Sequence, residues 1–163
     1  MRDAELEVQV KIGVGGALLI AMFAAQPRPI APGVRISRMG LSAEERREIV
    51  AAVARSAYDA PDSWEEELSA TRIDLGASPG IVLRGTKLLC GATGNCQLFV
   101  MRKANGRWVS LFGDDQAPLA ESFELGPGVT RGIKDLTVVT NSSAETGQRI
   151  RYRFDGRMYR RGS

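Results

Sequence analysis

The residues that can do chemistry in this chain are few, and one kind is missing. There are two cysteines, Cys90 and Cys96, and no histidine at all. Without imidazole the chain lacks the commonest general base, the commonest zinc ligand and the usual pH switch. A Ser-His-Asp triad is therefore excluded. A zinc site built on the cysteines would need two further ligands that no histidine can supply. No metal and no cofactor are expected.

The cysteines frame Cys90-Gly91-Ala92-Thr93-Gly94-Asn95-Cys96. Glycine and asparagine tolerate positive φ, which a short closed loop needs. The spacing is not the Cys-x-x-Cys of redox enzymes. A disulfide is the expected state in an exported protein. Closing so short a loop stabilises by roughly 2 kcal/mol in the chain-entropy view. Two roles are open to the loop. It is either a rigid binding tip presenting Gly91, Thr93, Gly94 and Asn95, or a staple that only closes a strand connection.

The second chemical feature is basic. Arg149, Arg151 and Arg153 alternate with Ile150, Tyr152 and Phe154, and Arg157, Arg160 and Arg161 follow. Alternation in a strand puts the arginines on one face. That face suits an anionic ligand, such as a glycan polymer, a phosphate or an acidic protein surface. It equally suits a solvated face whose charges block edge-to-edge pairing. Nucleic acid is not an expected partner, because the aromatics that would stack on bases point inward.

The third feature is the carboxylates Asp114, Asp115, Glu121 and Glu124. A glycosidase needs two carboxylates facing across a cleft. Glu121 and Glu124 are three apart, so in a strand they face opposite sides. Asp114-Asp115 after Gly113 reads as a turn, as does Asn141-Ser142-Ser143, although it matches a glycosylation acceptor. Catalysis is not expected.

The elements that must position these residues follow from pattern. Ser42-Ala43-Glu44-Glu45 is a capping box. Ile49, Val50, Val53, Ala57 and Tyr58 follow at helical spacing, predicting an amphipathic helix over 43–58 with Arg46, Arg47 and Arg55 toward water. Asp59-Ala60-Pro61-Asp62 ends it, with one further turn at Trp64. Beyond Ala70 the pattern turns to strands, at 71–75, 81–83, 97–103, 107–112, 119–125, 135–140 and 148–154. Asn105-Gly106 between two apolar runs predicts a type I′ hairpin, and Asp155-Gly156 a second. In the first hairpin Leu98 and Val100 take one side, Phe99 and Met101 the other. The fold class is α+β, mainly β. It comprises one N-terminal amphipathic helix on an antiparallel sheet of about seven strands, barrel-like or a sandwich.

Ile12 to Ala25 carries no charge. It is short for a membrane span and suits a signal-peptide core. Asp3, Glu5 and Glu7 precede it where positive charge is usual, and initiation at Val10 would remove that flank. Residues 1–26 are expected to be a signal peptide or an N-terminal anchor, 27–41 a Pro/Gly linker, and 42–163 one domain. Membrane contact is expected only if the segment stays uncleaved. The net charge of +3 permits an anionic partner without demanding one.

Several of these stretches together resemble a known group. They are Arg72-Ile73-Asp74-Leu75, Ile81-Val82, the Cys90–Cys96 loop with Leu98-Phe99-Val100, Lys134-Asp135-Leu136, and Tyr152-Arg153-Phe154-Asp155-Gly156-Arg157-Met158-Tyr159. This set, over about residues 71–160, resembles a group of uncharacterised secreted or periplasmic bacterial domains, similar to single integrin-type or VCBS-type repeat units. The resemblance implies an exported location and a β architecture, with no activity attached. In such units an Asp-Leu-Asn-Gly-Asp-Gly loop follows the first strand. Here the loop reads Asp74-Leu75-Gly76-Ala77-Ser78-Pro79-Gly80, which keeps only Asp74 of the acidic calcium ligands.

The functional expectation is a periplasmic or secreted, non-catalytic binding domain. Its partner would be a protein or an envelope polymer, and one version is an inhibitor of a cell-envelope enzyme. The alternative is a structural or accessory subunit of a cell-envelope assembly.

Overall fold

The computed structural model describes residues 33–59, 61–114, 117–142 and 147–162. The hydrophobic segment 12–25 and residues 27–32 of the expected linker lie outside them. The fold is mainly β, as expected, in two antiparallel sheets with one long helix.

The first sheet runs β1 (Val34–Arg35), β2 (Leu68–Asp74), β3 (Pro79–Gly85), β4 (Cys96–Ala104), β5 (Arg107–Ser110). A sixth strand, β6 (Leu119–Ala120), pairs with the Cys96 end of β4. The second sheet comprises β7 (Ser122–Thr130), β8 (Ile133–Thr140), β9 (Gln148–Phe154) and β10 (Tyr159–Arg161), in the order β10-β9-β8-β7. The arrangement is a sandwich and not a closed barrel. The ten strands exceed the expected seven because β1 and β10 are only two and three residues long and the 119–125 run divides at Glu121.

Helix α1 (Ala43–Ser56) covers the outer face of the first sheet. Its capping box forms, with Ser42 Oγ accepting from Glu45 N at 3.1 Å and Glu45 Oε2 from Ser42 N at 3.0 Å. Ile49, Ala52, Val53 and Ser56 are its buried residues, a stripe at helical spacing. This corrects the expected stripe. The helix stops at Ser56 because Ala57 turns extended, and Tyr58 is 44% exposed outside it. Arg46 also departs from expectation, lying half-buried with Nη1 donating to Leu41 O at 3.1 Å. A single turn, α2 (Trp64–Glu67), follows where one was expected.

The first sheet is a middle layer, which explains the unbroken apolar run of β4. Phe99 and Met101 face α1, while Leu98 and Val100 face the second sheet. Ile81 and Leu83 of β3 join the first side and Val82 the second. Both faces are buried, so alternation of side does not show as alternation of polarity.

The stretch read as linker is part of the fold from Val34 onward. Val34 pairs with Ala70 in β2, Ile36 is fully buried, and Met39 and Leu41 enter the core under α1. Its prolines and glycines masked three spaced apolar residues. The Asn105-Gly106 turn forms as predicted, with φ of 51° and 79°. A second two-residue turn, Arg131-Gly132, with φ of 50° and 83°, joins β7 to β8. The Asp155-Gly156 turn is instead a four-residue loop: Asp155 Oδ1 accepts from the backbone N–H of Arg157 and Met158, and Phe154 pairs with Tyr159.

Candidate functional site

The Cys90–Cys96 disulfide is present, with the Cα atoms 3.8 Å apart. Cys90 follows a 3-10 turn, Lys87–Leu89, and Cys96 begins β4. Backbone bonds tighten the loop, Gly91 N to Asn95 O at 2.8 Å and Gly94 N to Gly91 O at 3.0 Å. Gly94 sits at φ 79° with open space where a side chain would project, so the backbone angle alone asks for glycine there. Gly91, Ala92, Thr93 and Gly94 form an exposed, uncharged tip.

Asn95 is not part of that tip. It is 7% exposed and faces inward. Its Nδ2 donates to Thr93 Oγ1 and to Asn141 O, each at 2.8 Å, and its Oδ1 accepts from Asn141 N at 2.7 Å. The amide is fully used in fixing the loop to the chain that follows β8. Of the four loop residues singled out in the sequence, Gly91, Thr93 and Gly94 remain on the surface and Asn95 is corrected to a positioning role.

Beside the loop stands an apolar collar that sequence reasoning missed. Tyr58, Leu88 and Leu119 are 44%, 55% and 40% exposed. Tyr58 donates its hydroxyl to Leu88 O at 3.0 Å, and its backbone N–H goes to Gln97 Oε1 at 3.2 Å. Gln97 is fully buried and pairs in register with Leu119. Leu88 lies in the turn that ends at Cys90. The only sequence signal was Gln97 itself, a polar residue just ahead of the apolar run Leu98 to Met101.

The arginine face of β9 is placed on the outside, as the alternation required, but it is not an open cationic patch. Arg149 binds Glu124 of β7 with both terminal nitrogens. Arg151 Nη2 donates to Asp135 Oδ2, and Arg153 Nε stands 3.9 Å from the same oxygen. Asp135 is 3% exposed and also accepts from Thr130 Oγ1 at 2.8 Å. Burial pushes its pKa up, but Thr130 and Arg151 outweigh that and hold it below the ordinary carboxylate value. Two cross-strand acids thus engage all three arginines, a pairing that strand periodicity within β9 cannot reveal.

Of the carboxylates considered for catalysis, the three among the described residues do not converge. Asp114 pairs with Arg55 of α1 at 2.8 Å, on the helix side of the molecule. Glu124 is held by Arg149 on the opposite outer face. Glu121 is exposed between β6 and β7, and Asp115 lies outside the described residues. Among the described residues no group of three or more His, Cys, Asp or Glu is arranged to hold a metal ion. No helix among them is long and apolar enough to cross a membrane.

The chain matches no protein-family model, no curated protein and no solved structure.

Proposed function

We propose that this is an exported, non-catalytic binding domain that engages a protein partner through the disulfide-loop end. The observation that carries the reading is the pairing of an uncharged, backbone-rigid tip, Gly91 to Gly94, with the exposed apolar collar of Tyr58, Leu88 and Leu119. A tip fixed in advance loses little entropy on binding. An aromatic and two leucines beside it offer the apolar anchors that dominate interface energetics. The disulfide fits an oxidising compartment, in keeping with a periplasmic or secreted site of action. Within that reading, insertion of the tip into the cleft of a cell-envelope enzyme gives an inhibitor.

The test is capture of periplasmic or secreted proteins on the immobilised domain, comparing the wild type with Thr93→Arg and with Leu88→Glu. Both positions are exposed, and Thr93→Arg removes one bond from Asn95 Nδ2 while the two Asn95 bonds to Asn141 remain, so both variants should keep the fold. A specific partner should be captured by the wild type and lost from both variants. Equal recovery of every captured protein would remove this end from the interface and favour the accessory-subunit alternative.

A further inference from the structure

A second site lies at the other end of β4. Arg102 lies six positions along β4 from Cys96, so the two ends stand about 20 Å apart at strand rise. Here the β4–β5 hairpin of the first sheet meets the 155–158 loop of the second. Between them is a cleft of about 330 Å³ whose lining includes Arg102, Ser110, Gly113, Asp114, Gly156 and Arg157.

Charge at this cleft is arranged unlike that on β9. Its described acids are occupied: Asp114 is taken by Arg55 at 2.8 Å. Asp155 caps its own loop and receives Arg160 Nε at 3.3 Å. Arg102, Arg157 and Arg131 have no carboxylate partner among the described residues. Arg131 lies against Gly156, where a Cβ would come within 2.8 Å of its Nη1. Arg102 is held with Cζ 5.0 Å from the centroid of the Phe154 ring, and its Nε is buried without a hydrogen-bond partner. A desolvated, unanswered guanidinium N–H is costly unless something accepts from it. A cation seated over the Phe154 ring keeps its N–H groups for another acceptor.

We propose that this cleft binds a phosphomonoester, with Arg102 and Arg157 gripping the phosphoryl oxygens and Arg131 adding charge from the rim. Guanidinium forks match phosphoryl oxygens in geometry and charge. Three cations with no carboxylate partner among the described residues suit a dianion better than a single carboxylate. The cleft volume exceeds that of bare phosphate and leaves room for the group it esterifies. The site is independent of the disulfide-loop end, so either can fail without the other.

The experiment is titration calorimetry of the domain with glycerol 3-phosphate, with inorganic phosphate and sodium acetate as separate arms, at low and at physiological salt. Glycerol 3-phosphate should bind saturably with one site, more tightly than phosphate, and acetate should not compete. Arg157→Gln, an exposed position, should weaken binding roughly tenfold or more, the loss typical of a charge-assisted hydrogen bond. Arg102→Gln should do the same, and should shift the Gly113 and Gly156 amide resonances less on titration. Arg149→Gln, on the compensated face, should leave binding unchanged. If Arg102→Gln fails to fold, Arg157→Gln alone decides. Absence of saturable binding, equal binding of acetate, or unchanged affinity in Arg157→Gln would overturn the proposal.

Discussion

Asn95 lays its side-chain amide along the backbone of Asn141, donating to the carbonyl at 2.8 Å and accepting the N–H at 2.7 Å. The pair joins the disulfide loop of one sheet to the end of a strand in the other. Both backbone groups of one residue are satisfied by one side chain, so the contact fixes direction as well as distance.

Removing that amide should loosen the loop without unfolding the domain. Asn95→Ala is expected to cost about 1–2 kcal/mol, because the Asn141 groups are near enough to solvent to find water in part. Asn95→Asp should cost at least as much, since its carboxylate keeps the acceptor but faces the Asn141 carbonyl where a donor stood. Urea unfolding gives the loss, and hydrogen exchange at the Asn141 amide locates it. An unchanged midpoint with unchanged Asn141 protection would show that the contact is idle.

The disulfide should act on the loop more than on the fold. Neither large apolar cluster has Cys90 or Cys96 at its centre. Cys90→Ser with Cys96→Ser should therefore remain folded and lose about 2 kcal/mol, as a short closed loop predicts. Reduction of the wild type by a thiol should give the same loss. Collapse of both sheets on reduction would mean that the bridge holds more than its loop.

Much of this architecture was legible because local signals agreed with the fold. The Ser42–Glu45 box, the Asn105-Gly106 turn and the arginine alternation each state a geometry that tertiary context did not override. What was hidden depended on pairing between distant segments. Val34 to Leu41 looked like linker because its prolines and glycines outweighed Ile36, Met39 and Leu41, whose burial requires α1 overhead. Tyr58 continued the helical period but fell outside the helix, where Gln97 captures its backbone N–H. The unpaired arginines could not be told from the paired ones, since Glu124 and Asp135 lie on other strands from those they neutralise.

The buried Asp135 makes a sharper demand on one glycine. A Cβ on Gly128 would fall 2.6 Å from Asp135 Oδ2 and 3.0 Å from Arg151 Nη2. Gly128 lies where the β7–β8 register shifts between Leu125 and Val129, so the irregularity makes room for the ion pair. Gly128→Ala should displace the Arg151 guanidinium and destabilise by about 1–3 kcal/mol, and Arg151→Ala by a similar amount. If both act through the same pair, the double variant should lose clearly less than the sum. Additive losses in urea unfolding would separate the glycine from the ion pair.

The acid limb of stability should be traceable to Glu45. The Ser42 backbone N–H, then the Lys103 ammonium at 2.9 Å and the Trp108 indole N–H at 3.3 Å, hold its carboxyl down from 4.5 to about 2. A carboxyl held low in the folded state binds its proton first in the unfolded chain. Its contribution is therefore complete above about pH 4.5 and is lost as pH falls toward about 2. Asp74, Asp135 and Asp155 are also held low and act with the same sign. Glu45→Gln should thus flatten only part of the slope. The gap between wild type and variant should be widest near neutral pH and close at the acid end. Trp108 supplies a local reporter, because its N–H meets the same carboxylate. Its emission should shift with pH in the folded wild type below the ordinary carboxylate range and stay flat in Glu45→Gln. Parallel stability curves for the two proteins across this window would show that Glu45 keeps its ordinary affinity for the proton and that the cap does not set the acid limit.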